Sequence, residues 1–279
     1  MRGLKEERFT TEAQRTQRRK GDIAYFLLPV LCASVVNLLP SFLPVANAQP
    51  RSGYQDSGPQ VRAMQDDDTQ NPAFLWVEQG MTLWRQPAGS AGKSCADCHG
   101  DIASMKGVAA RAPAYDPQRA RPIPLPERVN ICRTEHQGAG KLAPESEQML
   151  ALTAAIGLQS RGLPVQPAAD PRAAPFIATG ERLFRTRQGQ LDLSCAQCHD
   201  DRAGQRLGGA IIPEGHANGY PQYRLEWQGM GSFARRLRAC LTGVRAEPYP
   251  ADSAEAVALE LYLATRAKGL NVETPAVRP

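Results

Sequence analysis

The feature that most constrains this chain is a five-residue pattern, C-x-x-C-H, that occurs twice. It reads Cys95-Ala96-Asp97-Cys98-His99 and, one hundred residues later, Cys195-Ala196-Gln197-Cys198-His199. Two thiols three residues apart add to the two vinyl groups of one haem, and the adjoining histidine coordinates its iron. A thioredoxin-like pair has no use for the following histidine, and a zinc site needs its two cysteine pairs close together. The pattern therefore predicts two covalently bound c-type haems. Cys95, Cys98, Cys195 and Cys198 are the attachment thiols, and His99 and His199 the proximal iron ligands.

The repeat extends beyond the motifs. Gly80, Leu83, Trp84, Ser94, Cys95 and Ala96 match Gly180, Leu183, Phe184, Ser194, Cys195 and Ala196 at the same offset of 100. Apolar residues at helical spacing predict a helix over 72–85 and another over 175–185. A second matched pair is expected over 146–159 and 253–267, where Leu152 and Ile156 correspond to Leu259 and Leu263. Helix, haem motif, long irregular loop and closing helix make a small cytochrome c unit. The expected fold is mainly α, with two tandem cytochrome c-like domains at 71–163 and 175–279. Pro164, Pro167 and Pro171 mark a linker over 164–174. Residues 49–70, polar and carrying Asp66-Asp67-Asp68, read as a mobile or partner-wrapping arm.

The first 48 residues read as an export signal. Arg15, Arg18, Arg19 and Lys20 precede an apolar stretch from Ile23 to Val36, and Ala46-Asn47-Ala48 supplies a small-x-small cleavage site. Pro29, Asn37, Pro40 and Pro44 interrupt the segment as a membrane span. The expected location is the periplasm, with no integral membrane segment after cleavage. Residues 1–48 hold seven Lys/Arg against four Asp/Glu, which leaves 26 against 24 for the remainder. A nucleic-acid binder keeps its basic excess in the folded part, so that class is set aside.

Cys32 leaves with the signal, and two cysteines remain outside the motifs. Cys132 lies 37 residues after Cys95 and Cys240 lies 45 after Cys195, each ahead of its closing helix. Their offset of 108 nearly equals the helix offset of 107, so they hold equivalent places and call for one role per domain. Distal thiolate ligation of each iron is the preferred reading; a Cys132–Cys240 disulfide is the alternative. Met105, Met149, Met230, His136 and His216 are further distal candidates. Arg235, Arg236, Arg238 and Arg245 lie within five residues of Cys240. Such cations suit a small anion and favour the nucleophilic thiolate. Some of these arginines are expected to pair instead with haem propionates, Glu226 or Glu247.

Three stretches of the second half resemble the SoxA family of cytochromes. They are Tyr220-Pro221-Gln222-Tyr223-Arg224-Leu225-Glu226-Trp227-Gln228, Arg235-Arg236-Leu237-Arg238-Ala239-Cys240 and Val244-Arg245-Ala246-Glu247-Pro248-Tyr249. The resemblance covers about residues 70–270. It implies an L-cysteine S-thiosulfotransferase that joins thiosulfate oxidatively to a cysteine of the SoxYZ carrier protein, forming a cysteine S-thiosulfonate. Two electrons pass through haem to a small cytochrome c, and SoxX is the implied partner in a heterodimer. By the same resemblance Cys240 is both catalytic and the distal ligand of the second haem, often as a persulfide. Arg236 would hold thiosulfate, with Arg245 a further candidate, and Cys132 would be the distal ligand of the first haem. The competing readings are a di-haem electron carrier, which needs neither free cysteine nor arginine cluster, and a di-haem peroxidase using Glu214 or His216.

Overall fold

The computed structural model describes residues 50–167 and 170–279. The export signal read at 1–48, with Cys32, lies outside the described residues. The chain is mostly helical. Helices span Pro59–Asp66 (α1), Phe74–Arg85 (α2), Ala96–His99 (α3), Leu125–Cys132 (α4), Glu147–Leu158 (α5), Ala174–Arg185 (α6), Cys195–His199 (α7), Phe233–Gly243 (α8) and Ala254–Arg266 (α9). The strands are short. Ala114–Asp116 (β1) pairs with Arg121–Ile123 (β2), and Arg206–Leu207 (β3) with Ala210–Ile211 (β4). Gln222–Arg224 (β5) lies between Gly229–Gly231 (β6), antiparallel to it, and Ala276–Arg278 (β7), parallel to it.

The four helices expected from periodicity are α2, α5, α6 and α9, with shifted ends. Ser146 and Ser253 cap their helices rather than joining them, accepting hydrogen bonds from the Met149 and Ala256 amides. This satisfies a backbone donor that a first turn leaves orphaned. α2 begins at Phe74 because Asn71 Oδ1 takes the Ala73 amide in a preceding turn at 3.0 Å.

Each long pair crosses at a glycine of the repeat. A Cβ on Gly80 would stand 2.1 Å from the Ala151 carbonyl oxygen, and one on Gly180 2.1 Å from that of Ala258. No other side chain permits so close a backbone approach of α2 to α5 and of α6 to α9. Around the first crossing Trp84, Met149, Leu152 and Ile156 are buried; around the second, Phe184, Leu259 and Tyr262 are buried together with Leu237 and Leu241 of α8.

The two halves also share core. Met230 of β6 packs with Val77, Leu150 and Ala154 of the first half, and the Trp76 ring lies 6.2 Å from that of Tyr223. Part of the stretch read as a linker is buried: Val165 sits with Ala110, Ala267 and Val272, and its amide donates to Leu270. Residues 50–70, within the stretch 49–70 read as a mobile or partner-wrapping arm, are docked on this chain. Gln65 accepts from the Val277 amide and from Arg278, Ser52 bonds Glu273, and Arg161 pairs bidentately with Asp68 at 2.6 and 2.8 Å. The sequence hides this docking because the partners lie up to about two hundred positions away.

Glu260 on α9 is half-buried and has no hydrogen-bond or ion-pair partner among the described residues, and burial pushes its carboxyl up to about 7. A carboxyl raised on folding binds its proton more tightly in the folded chain, so stability falls as pH rises from about 4.5 through 7. Chemical denaturation should show a loss of about 2 kcal/mol across that window. Glu260→Gln should flatten it.

Candidate functional site

The second motif sits on α7, whose start is fixed by a reciprocal cap. The Ser194 hydroxyl accepts from the Gln197 amide while the Gln197 side chain accepts from the Ser194 amide at 2.9 Å. The short helix turns Cys195, Cys198 and His199 out together. His199 Nδ1 lies 2.7 Å from the Pro213 carbonyl oxygen. Nδ1 must carry the proton to donate there, which leaves the Nε2 lone pair free to coordinate. Gly215, at φ +77, runs beneath the ring: a Cβ there would meet His199 Cγ and Nδ1 at 3.2 Å.

α8 carries the other wall. Phe233, Arg236, Leu237 and Cys240 fall at helical spacing on one face and line the same cavity as Cys195 and His199. Phe184, Leu259 and Leu263 complete the apolar lining, and Arg224, Arg278 and Tyr220 also border it. Burial drives the Cys240 thiol up, but the His199 imidazole and the Arg236 guanidinium outweigh it and hold the thiol below its ordinary value. Cys195, with no such cation among its causes, is pushed up to about 11 by burial and by Cys240 beside it. Among the described residues Arg236 has no carboxylate partner, so its charge is available to the cavity.

The first half builds the same parts differently. Ser94 and Asp97 form the corresponding reciprocal cap ahead of α3, with Asp97 accepting from the Ser94 amide at 2.7 Å. Trp84 lies 5.7 Å from the His99 ring and donates through Nε1 to the Gly100 carbonyl at 2.9 Å. Cys132, at the end of α4, stands near enough to Cys95 and Cys98 for their charges to interact. Arg128 sits four residues before Cys132, as Arg236 does before Cys240, at the same offset of 108. Arg128, however, is paired with Asp116 at 2.7 Å. Arg128 still lowers the Cys132 thiol, but burial prevails and raises it. The two equivalent cysteines thus differ in the property that matters for a nucleophile.

None of the six described cysteines is paired, so the Cys132–Cys240 disulfide is not formed. Several alternative ligands are committed elsewhere. Met149 and Met230 are buried in apolar clusters of the first half, His136 is exposed, and His216 bonds Glu214 through Nε2 at 2.9 Å.

A family model described as the SoxA/TsdA cytochrome c domain matches residues 79–165 and 179–272. The chain belongs to the SoxA family. The L-cysteine S-thiosulfotransferase subunit SoxA of Pseudaminobacter salicylatoxidans is 42% identical over 229 residues, covering 81% of this chain and 80% of that relative. The Paracoccus pantotrophus subunit is 38% identical, covering 81% and 78%. The crystal structure of SoxXA from P. pantotrophus superposes with a TM-score of 0.80 at 38% identity, over 82% of this chain and 87% of that one. A cytochrome c domain implies c-type haem, and the residues around the second cavity fit it. The Cys195 thiol and the His199 imidazole line that cavity from one turn whose second thiol is Cys198, Cys240 lines it from α8, and much of the wall is apolar.

Of the expected site residues, the structure brings Cys195, His199, Arg236 and Cys240 into one cavity, and Cys198 shares their helix. Cys95, Cys98, His99 and Cys132 gather in the first half. Arg245 does not join them. α8 ends at Gly243, and Arg245 is exposed beyond it at φ +58, outside the cavity lining. Arg238 is exposed as well, while Arg235 stacks 4.3 Å from the Trp227 ring and donates to the Met230 carbonyl. Glu226 pairs with Arg224, not with any of the four arginines grouped around Cys240. The cavity gains Arg224 instead, which proximity in sequence to Cys240 could not reveal. The repeated Arg-x-x-x-Cys of α4 and α8 is the one signal that would have singled out Arg236 without a family resemblance.

Gly215→Ala should strain the loop under His199 and lower stability by about 1 kcal/mol in thermal unfolding. Gly243→Ala, where nothing lies within 4 Å, should be silent by comparison.

Proposed function

We propose that the chain is the catalytic subunit of a periplasmic L-cysteine S-thiosulfotransferase, and that its active site is the second cavity. The reaction joins the terminal sulfur of thiosulfate to a cysteine thiol of the SoxYZ carrier. One S–S bond forms, one proton leaves the thiol, and two electrons pass by way of haem to a small cytochrome c. SoxX is the partner subunit in a heterodimer. The observation that carries this reading is the meeting of Cys240 and Arg236 across from His199, with the thiol held low by those two neighbours.

Each residue then has a task. Cys195 and Cys198 would hold the second haem, His199 and Cys240 would ligate its iron, and Cys240 would also be the sulfur that meets the substrate. Cys95, Cys98, His99 and Cys132 take the same places around a first haem, and the two repeats are two cytochrome c units. A bound haem would supply a one-electron acceptor. Arg236 attracts and orients the thiosulfate dianion, and a guanidinium suits a sulfonate because its planar donors match two oxygens at once. It also favours the thiolate, the reactive form of Cys240. The low thiol and unpaired arginine distinguish this site from the first half, where Arg128 is paired with Asp116 and the Cys132 thiol is raised. A plain electron carrier has no use for that difference.

Intact mass spectrometry of protein matured in an exporting, haem-attaching host should give the chain from Gln49 plus two haems. Peptide mapping should place any extra sulfur on Cys240. Cys240→Ala should lower thiosulfate-dependent turnover by about a thousandfold or more while retaining both haems. Turnover that survives in that variant would leave an electron carrier as the better account.

A further inference from the structure

The second cavity holds another guanidinium, for which the transferase reading has so far given no task. Arg224 closes β5, the central strand of its sheet, so its backbone is held on both sides by β6 and β7. Its side chain is only 11% exposed and borders the cavity with Cys240 and Arg236. One edge is engaged: Nη2 donates to Glu226 at 3.0 Å, and the group lies 5.2 Å from the Trp227 ring, whose own neighbour Arg235 fixes that ring in place. The other edge is not. Nε is buried and has no hydrogen-bond partner among the described residues. A buried guanidinium donor without an acceptor is costly, and in a substrate cavity it marks the place of a missing anion.

We propose that Arg224 is the second arm of the thiosulfate site, gripping the sulfonate oxygens together with Arg236 so that the terminal sulfur is presented to Cys240. The inference rests on the transferase reading and deepens it. A dianion brought beside a thiolate is repelled unless two cations offset it, and Arg236 supplies only one. Glu226, more than half exposed, engages Nη2 of the guanidinium and leaves the buried Nε without a partner. Glu226 is in this sense a positioning residue.

The test uses the haem-loaded heterodimer with SoxX. Equilibrium dialysis of labelled thiosulfate, without carrier, should show affinity lowered about tenfold or more in Arg224→Gln. KM for thiosulfate should rise in step, with KM for the carrier and the haem spectrum unchanged. Sulfate, which offers the same oxygen face and does not react, should weaken as a competitor by the same factor. Arg224→Lys, which keeps the charge but loses the two-pronged geometry, should recover part of the loss and guards against a variant that misfolds. Unchanged thiosulfate affinity in Arg224→Gln, accompanied by a shifted haem potential or lost haem, would overturn the proposal and make Arg224 a partner of the haem carboxylates. Full turnover in Cys240→Ala would instead sink the parent reading, whatever Arg224 does.

Discussion

Backbone contact between helices places everything around the second cavity. Gly180 lets α6 rest on the Ala258 carbonyl of α9, and Gly80 does the same for α2 on α5. That closeness sets Phe184 and Leu259 into one wall and gives α8 a surface to pack on through Leu237 and Leu241. α8 in turn presents Cys240 to the face from which α7 presents His199. A methyl group at Gly180 would separate α6 from α9 and move both walls, because close-packed interiors transmit such displacements rather than absorbing them.

The local layers of this structure are legible in the sequence, and the non-local ones are not. The C-x-x-C-H turns, their Ser94 and Ser194 caps and the four long helices all depend on residues a few positions apart, and periodicity or spacing reports them. The docking of residues 50–70 depends on Gln65 meeting β7, and no local pattern announces that. Arg224 and Arg245 make the same point at the site. The first is 16 residues from Cys240 and reaches it through a strand; the second is five away and misses, because the helix ends at Gly243 and the chain turns off in a left-handed conformation.

Internal repetition also conceals a difference. Arg128 and Cys132 on α4 reproduce Arg236 and Cys240 on α8 in type and spacing, which invites equal roles. Asp116 on β1 pairs with the first arginine, whereas the second has no carboxylate partner among the described residues. The imidazole of His199 beside Cys240, with Arg236 behind it, offsets the burial that at Cys132 Arg128 alone does not. Ligand sets therefore say less about reactivity than the charges standing behind them.

The parallel pairing of β5 with β7 has a consequence for how the molecule is made. Gln222–Arg224 is hydrogen-bonded to Ala276–Arg278, and Arg278 is tied back to Gln65 in the opening segment. The strand that aims Arg224 therefore gains its second neighbour only when residues from both ends of the folded region have come together. Contacts of such long sequence separation form late and slowly. While a nascent chain waits for them, both C-x-x-C-H turns, whose contacts are local, are already able to take shape.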